Sequence, residues 1–518
     1  MIIGGRIEKA AGVASAFAAV WPIATLLADG RFRNSWPCLA GRFALLLGGY
    51  GLCIAAVLVL LPGAWPFVLG LTIAALAYER WQSRPASGRS QGLPRGPLTF
   101  SPIPSALDPG YYFAMGRKYG PIFKHRSMGV PGAFGGPTIC IVGHHRGLEL
   151  LGRHGDTIRK TDTRRWTPFA DVIPRGFIRY MDDDDHDRYR DIFRPVLGPR
   201  VVEHNRPLLR STAHQILSRM AAESTSGEGA GTRPRDHMRH YTLAVFIGLF
   251  YGIEPETPQF AELQKLYGQF HLKKTRCAEV RARSGAFAPI AALVDAHGRD
   301  LAHAVAESGN HHVSVLSEIL GTQHDALDDP TLMGNLICIL ETGRTDLAGL
   351  LGWVFKMLAD NPIWLDRVRS ELNAEGAAPS RLSGRILNET LRLEQSELLA
   401  RRITEDVTYG GFTLPKGWSL RICVREGHRN PAVFDEPEQF NPDRFLGRTY
   451  SLSEFAPLGI DHHGCLGGHF IDAVGGALID ELARGYDIEK TGDGAHWFGH
   501  SQLEPSRDFR LRLIPHAG

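Results

Sequence analysis

Apolar residues fall along this chain in three regimes. The first lies near the N-terminus. Residues 10–28 carry no Asp, Glu, Lys or Arg, and neither do the 36 residues from Phe43 to Tyr78. A membrane-spanning helix needs about 20 apolar residues. Pro62, Gly63 and Pro66 interrupt the longer run, and such residues break helices and favour a turn. The pattern predicts a helical hairpin over 43–78, with arms Phe43–Leu61 and Phe67–Tyr78. Trp81 then falls at the membrane interface. Arg31, Arg33 and Arg42 precede the hairpin and Arg80 and Arg84 follow it. The positive-inside bias puts both ends in the cytoplasm. Residues 10–28 read as an interfacial or re-entrant helix. A cleaved signal peptide is the rival reading, weakened by the lack of a convincing cleavage site.

The second regime, 83–110, has no periodicity. Pro85, Pro94, Pro97, Pro102, Pro104 and Pro109 lie among Gly and Ser, a composition that makes a semi-rigid spacer. The third runs from 111 to 518. Apolar positions recur at helical spacing over Asn205–Ala222, Asp236–Tyr251 and Leu332–Leu358, with a further helix at Ser383–Arg392. Strand-like alternation is confined to short pieces: Ile122–His125, Thr138–Val142, Ile403–Tyr409, Trp418–Val424 and Phe509–Ile514. The pattern predicts a mainly α (α+β) body, a large helical domain with small peripheral sheets, preceded by a membrane segment.

Composition narrows the picture. The net charge is only +3, so a strongly basic nucleic-acid binder is excluded as the default. Apolar residues at 43% and charged residues at 22% exclude a disordered chain. The 7 cysteines are odd in number, widely spaced and lack a CxxC pair, which fits a reducing compartment better than a disulfide framework.

Candidate chemistry concentrates near Phe455-Ala-Pro-Leu-Gly-Ile-Asp-His-His-Gly-Cys-Leu-Gly-Gly468. Glycines around Cys465 let backbone approach a flat ligand, and N–H groups near a thiolate stabilise its charge. A buried free cysteine alone is commonly a small core hydrophobe. Other residues accompany it, however. Glu389 and Arg392 stand at i, i+3 on one helix face. Arg401, Asp406, His428-Arg-Asn-Pro431, Phe434, Pro437 and Phe440-Asn-Pro-Asp-Arg-Phe445 follow. A zinc site from His462, His463, Cys465 and His469 is disfavoured, because adjacent histidines converge poorly on one ion.

In this order and spacing the stretch resembles the haem-binding region of the cytochrome P450 family, the haem-thiolate monooxygenases. The similarity runs from about Pro104 to the C-terminus. The resemblance implies haem b, with Cys465 as the thiolate on iron. It implies that Glu389, Arg392 and Arg444 form a buried ion network behind the cysteine loop. It places Arg401, His463, His186 and Arg190 on the haem propionates, the last two as an HxxxR pair behind the acids Asp182–Asp185.

The chain also departs from the family pattern. Leu458 stands for a Phe, Asp461 for a Gly, and His463 for an Arg. In the oxygen-activating helix the acid–alcohol pair is reversed, as Thr345-Asp346. Gly343 holds the groove position and Thr342 lies one turn earlier. The resemblance makes Thr345, Asp346 and Thr342 the candidates for proton delivery, with Asp346 in the place of the alcohol. Leu398, Leu399 and the loops near Trp166–Ile178 and His500–Pro505 are expected to line the pocket.

The function this implies is a membrane-anchored monooxygenase. It hydroxylates or further oxidises a lipophilic small molecule, with two electrons from a separate ferredoxin or flavoprotein reductase. Arg188 and Arg194 are candidates for docking an acidic donor. The catalytic domain faces the cytoplasm, membrane lipid is a partner, and nucleic acid is not. The alternatives are a haem-thiolate isomerase or dehydratase that does not reduce O2, and a non-catalytic haem sensor.

Overall fold

The computed structural model describes residues 92–96, 110–127, 136–160, 173–226, 231–270, 277–308, 312–375, 381–394, 399–494, 496–498, 503–506 and 508–516. The chain divides into two compact units, Met1–Leu93 and Pro94–Gly518. The expected membrane segments at 10–28 and 43–78, and most of the 83–110 spacer, lie outside the described residues. Among the described residues no helix is long and apolar enough to cross a membrane.

The helices that build the site are α1 (His144–His154), α2 (Asp183–Val196), α3 (Arg206–Ser226), α4 (Pro234–Tyr251), α5 (Pro330–Asp360), α6 (Arg381–Glu394) and α7 (Gly468–Gly485). The periodic stretches at 205–222, 236–251, 332–358 and 383–392 each form the core of one of them. α5 starts sharply for a local reason. The Asp329 carboxylate accepts from the N–H groups of Thr331 and Leu332, and Pro330 fills the first turn, where its missing N–H costs nothing. It stops at Asn361, ahead of Pro362.

α5 is the central helix. It packs along α4 and against α6, and α6 packs on α7. Small residues set these approaches. A Cβ on Gly343 of α5 would stand 2.7 Å from Phe246 of α4, and one on Gly475 of α7 would stand 2.7 Å from Leu387 of α6.

A five-stranded sheet lies beside the helical body. Its strands are β1 (Ile122–Ser127), β2 (Gly136–Val142), β3 (Ile158–Arg159), β4 (Leu399–Ile403) and β7 (Ser419–Cys423), in the order β1-β2-β7-β4-β3. Only β2 and β7 run parallel. The strand expected at Ile403–Tyr409 is two strands in different sheets. β4 ends at Ile403. β5 (Val407–Tyr409) then pairs with β6 (Phe412–Leu414) across Gly410-Gly411, both at positive φ. The break at 404–406 is held by Asp406, whose carboxylate accepts from the Lys416 N–H at 2.7 Å. Two further pairs, β8 (Tyr486–Gly492) with β11 (Arg510–Pro515) and β9 (His496–Phe498) with β10 (Leu503–Pro505), complete the described sheets.

Candidate active site

The loop before α7 carries Cys465. Its Sγ accepts from the Gly467 N–H at 3.3 Å, and its own N–H donates to the Leu458 carbonyl at 2.7 Å. The chain reverses at Gly459, with φ +94. Two residues later Asp461 also takes a left-handed conformation, φ +69, which short polar side chains tolerate. This accounts for an aspartate where the family pattern has glycine. Its carboxylate also does work a glycine cannot. One oxygen accepts from the His463 N–H at 2.8 Å and the other from Arg401 at 2.7 Å. Arg401 is 2% exposed and does not line the cavity described below. Arg401 is thus held by Asp461, the residue that also bonds the backbone of the cleft-lining His463.

Behind the loop, Glu389 and Arg392 of α6 are fully buried and joined by two bonds of 2.8 Å. Arg392 also donates to the carbonyls of His428, Pro437 and Gln439. Arg444 donates to Glu389 at 3.0 Å, and the same oxygen accepts from the Asn441 N–H at 2.9 Å. The three residues thus meet as one satisfied network, which ties α6 to the segment leading into the cysteine loop. His428 belongs to it through its carbonyl, while its Nε2 accepts from the Ala456 N–H at 2.9 Å. The His428 ring lies 4.8 Å from that of His144. Burial holds both imidazoles neutral, with His144 pushed down to about 4.

Between this loop and α5 lies a cleft of about 1490 Å³, partly open to solvent. Cys465, Gly464 and Leu466 form its floor. One face of α5 forms the opposite wall, through Ile339, Thr342, Gly343, Asp346, Leu347 and Leu350. Phe177, Ile178 and Arg179 close one side. The i, i+3, i+4, i+7 spacing selects that face of the helix. It also decides which member of the reversed pair faces the cleft. Asp346 faces the cleft, with its Oδ2 3.9 Å from Arg179. Thr345 does not line it. Its hydroxyl donates to the Glu341 carbonyl at 2.7 Å, beside the buried Glu341–Arg344 pair. Thr342 lines the cleft while donating to the Cys338 carbonyl at 2.8 Å.

The polar end of the cleft holds Lys160, His186, Arg190 and His463. The His186 and His463 rings lie 4.2 Å apart. Burial pushes His463 down to about 4, and burial lowers His186 as well. His463 keeps one polar partner, Asp182, at 3.4 Å. The acids at the start of α2 are therefore structural: Asp182 supports His463 and the Lys160 N–H, Asp183 pairs with Arg159, and Asp185 pairs with Arg175. Lys160, which no sequence motif marks, is a buried cation on this wall. Arg190 is the cation the site leaves incomplete, because its Nε is buried without a hydrogen-bond partner. A cysteine sulfur on the floor, an unsatisfied guanidinium at the edge and a glycine-lined approach fit a flat dianionic macrocycle such as haem.

Of the loops expected to line the pocket, Phe177, Ile178 and Leu399 do so. Residues 166–172, Leu398 and 500–502 lie outside the described residues. Pro505 instead packs near Gly352. Arg188 and Arg194 are exposed and sit near Asp329 and Asp191.

A model of the cytochrome P450 family matches residues 109–470. The chain belongs to the cytochrome P450 family. This P450 is 25% identical over 453 residues to abscisic acid 8'-hydroxylase 1 of Oryza sativa subsp. japonica, covering 81% of this chain and 90% of that protein. It is 27% identical over 276 residues to cyclooctat-9-en-7-ol 5-monooxygenase of Streptomyces melanosporofaciens, covering 50% and 57%. A solved cyanobacterial P450 with retinoic acid bound shares the fold, with TM-score 0.66 and 19% identity over 82% of this chain and all of that one. The enzyme is a haem-binding P450 monooxygenase, and in this family a cysteine thiolate holds the haem.

Proposed function

We propose that this P450 hydroxylates a lipophilic small molecule, using Cys465 to hold haem and Asp346 to deliver protons. Haem held by a thiolate supplies the chemistry that activates O2 and transfers one oxygen atom to a substrate. The protein's part is to keep the sulfur anionic, anchor the macrocycle, exclude water and meter protons. The Gly467 N–H bond supports negative charge on Sγ. Arg190 and Lys160 supply positive charge at the edge of the cleft, with His186 and His463 as neutral neighbours. The apolar wall of α5, Phe246 and Phe250 favours a lipophilic ligand.

The observation that carries the reading is the placement of Asp346. It is the acid of the α5 wall that faces the cleft, at the helix position where the family carries an alcohol. A carboxyl group there can relay protons into the cleft, directly or through one water. Two electrons come from a separate ferredoxin or flavoprotein reductase, and residues 43–78 anchor the chain with its catalytic unit in the cytoplasm.

The test uses a surrogate ferredoxin and reductase with a lipophilic compound that shifts the haem spectrum. Asp346→Asn is expected to divert most of the consumed O2 to hydrogen peroxide while leaving that spectrum intact. Thr345→Val, by contrast, leaves coupling within about twofold, because its hydroxyl is bonded away from the cleft. Equal coupling in Asp346→Asn and the parent contradicts proton delivery by Asp346. Product formed without O2 or reductant supports the isomerase or dehydratase reading instead.

A further inference from the structure

The side wall of the cleft is a short piece of chain fastened to α5 by one side chain. Phe177, Ile178 and Arg179 line the cleft. Ile178–Tyr180 is a single 3-10 turn, and Phe177 at its start offers no side-chain cap. A turn that short has little stability alone. Asn335 of α5 supplies the missing cap from 157 residues away. Its Oδ1 accepts from the Ile178 N–H at 2.7 Å, and its Nδ2 donates to the Gly176 carbonyl at 3.1 Å. The amide therefore grips the backbone on both sides of Phe177. A third bond, from Nδ2 to the Thr331 carbonyl at 2.8 Å, ties the side chain back to its own helix. Asn335 is fully buried and does not itself line the cleft. The residue before it permits the close contact, since a Cβ on Gly334 would stand 2.8 Å from Cγ1 of the buried Ile173. Gly176, at φ +88, makes the reversal into the turn.

We propose that Asn335 is a positioning residue for ligand selection: it holds Phe177 and Ile178 as a fixed wall, so that the cleft discriminates ligands by shape. This rests on the reading that substrate lies in the cleft beside haem, and not on proton delivery by Asp346. The bonding pattern singles out an amide. Leucine matches its size but leaves the Ile178 N–H and the Gly176 carbonyl buried and unpaired. Aspartate keeps the acceptor, loses both donations and sets a carboxylate against two carbonyl oxygens. In either case the turn shifts to find new partners, and Phe177 moves with it. A wall ordered in advance favours ligands that fit it, whereas a loose wall adapts to each and narrows the difference. Ile339, about one helical turn beyond Asn335, lines the cleft directly, and Thr342 and Asp346 follow on the same face. The helix that carries the candidate proton donor thus also sets the wall against which the ligand rests.

The test uses the full-length ferric haem protein and azoles that ligate haem iron through nitrogen: imidazole, 1-phenylimidazole, 4-phenylimidazole and clotrimazole. Affinities are read from the shift of the haem absorbance band. Imidazole reports the iron alone, and the three larger probes also meet the wall. Their affinities, each divided by that of imidazole, are expected to span about tenfold or more in the parent. In Asn335→Leu that span shrinks to within about threefold, while imidazole stays within about twofold of the parent. Hydrogen exchange over residues 173–181 speeds by about tenfold or more in the same variant. Phe177→Leu alters the span by itself, and adding Asn335→Leu to it changes little further, because both act through one wall. Should Asn335→Leu not fold, Gly334→Ala, which presses on Ile173 from the same helix, is expected to shift the three larger probes and not imidazole. A parent span under about threefold, an unchanged span in Asn335→Leu, imidazole weakening in step with the larger probes, or fully additive effects at 177 and 335 overturns the proposal. The reduced carbon monoxide spectrum, recorded on every variant, separates the two failures. An intact band with an unchanged span removes this inference alone, whereas a missing band in the parent removes the monooxygenase reading beneath it.

Discussion

At the scale of single residues, buried charge and buried imidazole decide most of the behaviour. Arg392 satisfies Glu389 and three backbone carbonyls with no exposure to water. Arg392→Lys cannot reproduce the fork and leaves part of that set unpaired. The expected cost is about 3–5 kcal/mol, read as a lower urea midpoint and loss of haem. His125 and His144 are pushed down to about 4 by burial, from an ordinary 6.5, and burial pushes His428 well below 6.5 too. The unfolded chain takes up these protons below about pH 6.5, while the folded protein resists until about pH 4. Stability is therefore whole above pH 6.5 and falls as the pH drops toward 4. His144→Leu is expected to reduce the loss between pH 7 and pH 5 by about 1–2 kcal/mol, checked by urea unfolding at both values. An unchanged loss would mean that His144 is not neutral in the folded state. The sequence revealed Cys465, Glu389, Arg392 and Arg444 because their spacing is rigid. It hid Lys160 and Arg179, which reach the cleft through tertiary placement from segments with no motif. It also hid the pairing of Arg401 with Asp461, which spans 60 residues of chain.

At the scale of elements, the helices were legible wherever one face is buried and a cap marks the end. α5 shows both, in its apolar stripe and in Asp329 with Pro330. Short strands were less legible. The run at 403–409 reads as continuous alternation, yet the Asp406 turn splits it between two sheets. Likewise the reversed Thr345-Asp346 order could be read, but which member faces the cleft depends on the rotation of α5 against α4. Close helix contacts carry their own prediction. A Cβ at position 475 would stand 2.7 and 2.9 Å from the two terminal methyls of Leu387. Gly475→Ala is expected to push α7 from α6 and cost about 1–3 kcal/mol in urea unfolding, with weaker haem retention because α7 follows the cysteine loop.

At the scale of the whole molecule, a P450 body is joined by a proline-rich stretch to an N-terminal region with a 36-residue uncharged run. If that run anchors the chain, the full-length protein sediments with membranes and resists extraction by high salt, while a chain starting at residue 92 is released and keeps its haem spectrum. Recovery of the full-length chain in the soluble fraction would contradict the anchor. The body's function rests on a sulfur anion beneath the cleft, and one measurement reaches it directly. Ferrous protein with carbon monoxide is predicted to show a red-shifted Soret band in the parent, and Cys465→Ser to lose that band while keeping its helical circular dichroism. A Cys465→Ser protein that is folded, holds haem and retains the red-shifted band would contradict the account at its centre.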